Sequence, residues 1–277
     1  MLVTPTQQMK KLEQTLRAWC ADPAADPREQ VTKNIRKWLA SSRPQAAAMA
    51  AARLDDLAEW YGQQGALAVL DGRAEGWADI DRALHYFWWR IRIDPAGTLV
   101  SKMALVLAHA MTFEEKLMAD WLATWLIEAL HHSTLVTHDC TSFAAFVLNL
   151  WTIHQGSADV VVARPSVAVV SAYQRVLDTW SNTGSLRSAL RTVCNHHVAQ
   201  ALTARGEFVD VPYPMFPVDI LAIERVRRDL DLEMPTVEHP LLSTALAILP
   251  AREQRPRMGP DPLLEQVIQK ARDTEAL

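Results

Sequence analysis

A chain of 277 residues, of which 49% are hydrophobic and 22% charged, has the composition of an ordinary globular protein, and this excludes intrinsic disorder. Its formal net charge of −4 excludes the broad basic field that grips a phosphate backbone, so nucleic acid is not an expected partner. The longest nearly uninterrupted apolar run, 103–113, contains His109 and is far shorter than the roughly 20 residues of a bilayer span, so no membrane partner is expected.

Taken in chain order, the predicted elements are almost all helices. Residues 1–16 become amphipathic at once and lack the apolar core and cleavage site of a secretory signal, which predicts a cytoplasmic protein. Met9, Leu12, Leu16 and Trp19 form a stripe of helical period that ends in the breaker cluster 21–27. Val31, Ile35, Trp38 and Leu39 repeat the pattern, and after the break at 41–44 an alanine-rich stretch leads to Leu54, Leu57, Trp60 and Tyr61. A turn at Asp71, Gly72 and Arg73 precedes a helix bearing Trp77, Ile80, Leu84, Phe87, Trp88 and Ile91, which Pro95 and Gly97 terminate. Thr112 and Glu115 have the spacing of a capping box and predict a helix reaching about Leu130.

Asp139 is placed to cap a helix carrying Phe143, Phe146, Val147, Leu150 and Trp151, and Gly156 stops it. The β-branched run 160–162 is the one strand-like piece and is too short and solitary to build a sheet. Helical period returns from Pro165, and a long helix over 186–204 follows Gly184. After Pro212, Pro214 and Pro217, further helices are expected from Ile220, over 241–249 and near 263–271, with 250–262 a proline-rich surface segment. The fold class is therefore all-α: a single domain over 1–277 of about eleven or twelve helices with no significant sheet. Ala83, Phe87 and Pro95 match the second helix of a tetratricopeptide repeat, but the motif does not recur at about 34 residues. Solenoid-like pairing of helices stays open, a regular array does not.

Candidate chemistry is sparse. His109 with the adjacent pair His138 and Asp139 has the residue types that hold a divalent ion in metal-dependent phosphohydrolases, which is the enzymatic alternative. Cys140 beside His138 has the types of a thiolate and its base, whereas Cys20, Cys140 and Cys194, an odd number at wide spacing, read as reduced core thiols. His196 and His197 lie beside Cys194. No phosphate loop, dinucleotide fingerprint, serine elbow or metalloprotease motif is present, and nine glycines leave little material for phosphate-cradling loops. No enzyme activity and no cofactor are expected on the leading reading.

Charge is more suggestive. Between Arg53 and Arg82 seven acids, Asp55, Asp56, Glu59, Asp71, Glu75, Asp79 and Asp81, face three arginines. A second acidic stretch holds Asp229, Asp231, Glu233 and Glu238. Such clusters either line a solvated helix face or make a docking surface for a basic partner.

The segment GQQGALAVLDGRAEGWADIDRALHYFWW and the stretch FPVDILAIERVRRDLDLEMPTVEHPLLSTALAIL resemble the early helix pair and the C-terminal region of the immunity protein 49 family of bacterial polymorphic-toxin systems. The resemblance implies an all-helical antidote that neutralises one cognate protein toxin by stoichiometric binding, without catalysis. The eleven acids named above are then the expected contact residues, opposite a basic surface on the toxin, with some of the ten tryptophans as anchors. A helical scaffold binding a peptide is the remaining alternative.

Overall fold

A computed structural model describes residues 3–22, 24, 26–131, 141–156 and 171–274. The chain is all-helical, and no strand occurs among the described residues. The helices are α1 (Pro5–Ala21), α2 (Arg28–Leu39), α3 (Ala46–Ala51), α4 (Leu54–Leu70), α5 (Gly76–Ile93), α6 (Val100–Thr112), α7 (Lys116–His131), α8 (Thr141–His154), α9 (Ser171–Asp178), α10 (Thr183–Ala201), α11 (Val218–Asp229) and α12 (Pro262–Asp273). None is long and apolar enough to cross a membrane. Residues 138–140 and the run 160–162, with the expectations that fell on them, lie outside the described residues.

The contacts group the chain into two compact units, one of Glu13–Thr98 with Glu253–Leu277 and one of Met1–Leu12 with Leu99–Arg252.

In the first unit α4 and α5 form a close antiparallel pair. Gly72, at φ +79°, ends α4: its N–H reaches the Val69 carbonyl at 3.0 Å and the Arg73 N–H reaches Ala68 at 2.9 Å, the double bond that closes a helix on a left-handed residue. The pair packs backbone to backbone, because a Cβ on Gly65 would lie 2.6 Å from the Gly76 carbonyl oxygen, and one on Gly76 would lie 2.5 Å from that of Gly65. Small side chains play the same part in α3, whose Ala46, Ala47, Ala50 and Ala51 are fully buried where α3 meets α2, α5 and α12. Asp261 caps α12 by accepting from the Leu263 and Leu264 N–H groups at 3.1 and 3.0 Å, and Pro262 follows at the position where a missing N–H costs least. Leu264, Val267 and Ala271 then form its buried stripe. Most of the proline-rich segment is exposed, yet Arg255 is buried, and the Met258 N–H donates to Asp81 Oδ2 at 2.9 Å.

In the second unit α6 is the central helix, buried from Met103 through Thr112 against α7, α8 and α11. The expected capping box at Thr112 and Glu115 does not form. Thr112 is still the last residue of α6, and its hydroxyl donates back to the Ala108 carbonyl at 2.8 Å. Glu114 adopts φ +65°, and its N–H and that of Glu115 close onto Met111 and Ala110, so the turn is a helix C-cap with glutamate where glycine is usual. Asp231, at φ +55°, ends α11 in the same way, with bonds to Arg228 and Arg227. The start of α10 is set by Asn182, whose side chain accepts from the Ser185 N–H at 3.0 Å, so Gly184 lies inside the helix and not before it. The helix expected over 241–249 is two 3₁₀ turns, Pro240–Ser243 and Ala245–Ala247, because Thr244 between them is extended, at φ −86° and ψ 156°.

Arg227 is the largest side chain buried in this unit. It donates to the Trp180 carbonyl and twice to the Glu233 carbonyl, at 3.0 and 2.6 Å, and so ties the segments before α10 and after α11 to the core.

Candidate functional site

His109 and His197 are core residues, His196 is half-buried, and His138 lies outside the described residues. His109 is fully buried, 3.2 Å from the Tyr213 hydroxyl, with its ring edge-on to Phe113 and Phe216 at centroid distances of 4.5 and 5.1 Å. His197 and Asp219 are also fully buried and meet at 2.9 Å. The opposite ring nitrogen of His197 donates to the Tyr213 carbonyl at 3.0 Å, so the contact with Asp219 holds a proton between ring and carboxylate. Stacked on Phe208 at 4.0 Å, this pair joins α10 to α11 and has no exposed atom to offer a substrate. His196 pairs with Glu207 at 2.9 Å. Among the described residues no three His, Cys, Asp or Glu side chains converge as metal ligands. Burial pushes the Cys194 thiol well above its ordinary value and that of Cys20 up to about 11, which keeps both protonated and unreactive at neutral pH.

The first acidic stretch is brought together on α4, α5 and the turn between them, and the fold supplies it with arginines. Asp55 faces Arg90 at 3.5 Å, Asp56 faces Arg53 at 3.6 Å, and Asp79 faces Arg82 at 3.6 Å. Asp71 is held by Arg17 at 2.8 Å and Arg73 at 3.7 Å. Asp81 is fully buried, with Arg257 3.5 Å away, and offers nothing to a partner. Glu59 is half-buried and Glu75 exposed. Burial raises the Asp79 carboxyl, with Arg82 and Arg28 opposing, so even this acid is partly sheltered. The surface is thus one of mixed charge, in which Asp55, Asp56, Asp71 and Asp79 each have an arginine partner.

Set among these pairs is a stack that crosses three helices. The Arg28 guanidinium at the start of α2 lies over the Trp60 ring at 3.9 Å while gripping Asp26 at 2.7 Å. Trp60 meets Tyr61 edge-on at 4.8 Å, and Arg82 of α5 covers Tyr61 at 4.5 Å. Tyr86 follows at 5.8 Å from Tyr61, its hydroxyl donating to Asp261 at 2.5 Å. Trp60 and Tyr61 are half-buried, and the Arg28 side chain is 49% exposed. Trp77 and Trp88 are buried, and the remaining tryptophans are half-buried like Trp60.

The second acidic stretch lies in the other unit and does not act as a block. Asp229 pairs with Arg225 at 2.5 Å and with His154 at 2.8 Å, Asp231 supplies the left-handed turn, Glu233 offers its carbonyl to Arg227, and Glu238 is exposed. Arg225 also reaches Glu114 at 2.7 Å. The charge pattern marks Asp229 and Arg82 but not their partners Glu114, His154, Arg28, Trp60 and Tyr61 elsewhere in the fold; arginine and aromatic residues on facing helices were the available signal. No protein-family model, curated protein or solved structure matches the chain.

Proposed function

We propose that this chain is a cytoplasmic immunity protein that neutralises a cognate protein toxin by stoichiometric binding, with no catalytic step of its own. The observation that carries the reading is the stack of Arg28, Trp60, Tyr61 and Arg82. Tryptophan, tyrosine and arginine are the residues that dominate binding hot spots. Here their rotamers are fixed before any partner arrives, which lowers the ordering cost of association. The resemblance to the immunity protein 49 family falls on the same helix pair, α4 and α5.

Of the surrounding carboxylates, Asp55, Asp56, Asp71 and Asp79 sit beside arginines of this chain, while Glu59 is half-buried and Glu75 exposed. A basic toxin surface therefore exchanges internal guanidinium partners for external ones. Such an exchange contributes little net affinity but discriminates strongly against an acidic partner.

The test is calorimetry of the purified protein against the product of the neighbouring gene. A 1:1 complex is expected, weakened about 100-fold by Trp60→Ala or Tyr61→Ala, with thermal melts confirming that each variant is folded. Absence of a complex with any neighbouring gene product, or a complex indifferent to both substitutions, removes this reading.

A further inference from the structure

A cavity of about 170 Å³ opens between α6, α7, α8 and α11. We infer that it is a binding site for a primary alkylammonium group, with Asp120 as its counter-ion and the Trp151 ring as its wall. Three observations meet there.

The first is a carboxylate fixed on one side and nearly open on the other. Asp120 Oδ1 accepts from Trp151 Nε1 at 3.1 Å and from Gln155 Nε2 at 2.9 Å, so the group cannot turn away. Its Oδ2 is held by Lys116 at 3.1 Å, and that lysine side chain is 70% exposed. An exposed pair four residues apart on a helix contributes little, so Lys116 is easily displaced by a cation arriving from solution.

The second is shape and lining. Ala110, Met111 and Ala119 make the cavity apolar beside that carboxylate, and Trp151 offers an aromatic surface. Methylenes bury against the first set and the indole, and an ammonium gains a charge-assisted hydrogen bond to the carboxylate. At about 30 Å³ for each water-sized group, the volume takes five or six such groups, the size of a four- or five-carbon amine.

The third is charge. Glu114, Asp120 and Asp229 line the cavity against Arg225 and Lys116. Arg225 is already committed to Glu114 and Asp229 at 2.7 and 2.5 Å, so once Lys116 swings out Asp120 is the carboxylate left to neutralise. An anion meets the opposite field.

The experiment is titration of the full chain with n-butylammonium chloride, read by calorimetry, with sodium chloride as the ionic-strength control and thermal melts to confirm that each variant is folded. The inference expects saturable binding that Asp120→Asn weakens about tenfold or more, the loss of one charge-assisted bond. Lys116→Gln, which removes the internal competitor, is expected to tighten it several-fold. That gain is one that nonspecific amine uptake does not produce. Cadaverine and an end-blocked Ala-Lys-Ala peptide then distinguish a free diamine from a lysine side chain of another protein, the tighter ligand naming the source. No saturable binding to wild type and to Lys116→Gln, or binding that folded Asp120→Asn leaves unchanged, overturns the inference. It does not depend on the toxin-binding surface of the other unit.

Discussion

Glu114 shows how one residue can carry a cost that neighbouring contacts offset. A side chain at φ +65° is strained by about 1–2 kcal/mol relative to a right-handed conformation, and the Arg225 pair at 2.7 Å helps to hold it there. Glu114→Gly removes both strain and pair, whereas Glu114→Ala removes only the pair. The glycine variant is therefore expected to be more stable than the alanine variant by about 1 kcal/mol in urea denaturation. His239 gives a pH dependence of definite sign. Its Nδ1 accepts from the Leu241 N–H at 3.2 Å, which requires the neutral ring, and burial followed by the charges of His197 and Arg191 lowers its pKa from 6.5. The unfolded chain then binds a proton first as pH falls. The stabilisation is full above pH 6.5 and is lost as pH drops through that value toward the lower folded one. His239→Gln is expected to flatten this part of the stability-pH curve, measured by thermal melts from pH 7.5 to 5.

At the scale of elements, the same residue type does opposite things in two helices. Gly65 has backbone atoms 2.6 and 2.9 Å from where a Cβ would sit, and backbone cannot step aside as a flexible side chain can. Gly65→Ala is expected to destabilise by about 3 kcal/mol through overpacking of α4 on α5. Gly184, in the first turn of α10, has only the Asn182 side chain near, at 3.5 Å. Gly184→Ala is expected to stabilise by about 0.5–1 kcal/mol, because the unfolded chain loses freedom and the folded one loses nothing. Chemical denaturation of the two variants side by side checks both signs. Helix positions were legible from apolar spacing, but several ends were not. The turn after α6 uses glutamate, and the one after α11 aspartate, where glycine is the usual stop, so the chain carried no stop signal there and Thr112 with Glu115 mimicked a start.

For the whole molecule, the unit containing α2 to α5 is completed only when the chain returns at Glu253–Leu277. That return is tied by Asp81 to Met258, by Tyr86 to Asp261 and by Lys270 to the Ser41 carbonyl at 2.8 Å. Deleting 253–277 uncovers the alanine face of α3 and strips Asp81 of both its main-chain donor and the Arg257 that covers it. A lower melting temperature and faster hydrogen exchange within residues 13–98 are expected, read by mass spectrometry. Contacts between segments so far apart in sequence also demand closure of a long loop, and this slows folding relative to a bundle of sequential helices.

Apolar period, breakers and composition determined by themselves that the chain is helical and where most helices lie, because those signals act within one or two turns. The pairing of carboxylates was beyond them. Asp81 and Asp56 look alike in sequence, yet one is enclosed under Arg257 and the other stands at the surface, since burial depends on which helix comes to lie across each face. Tertiary structure alone decided that Arg90 reaches Asp55 and Arg17 reaches Asp71, that Arg28 and Arg82 cover the rings of Trp60 and Tyr61, and that Trp151 and Gln155 fix Asp120 beside a cavity. Hydrogen-bonding, close ion-pair and stacking contacts require atoms within a few ångströms, and only the packed fold sets distances that short between residues on different helices.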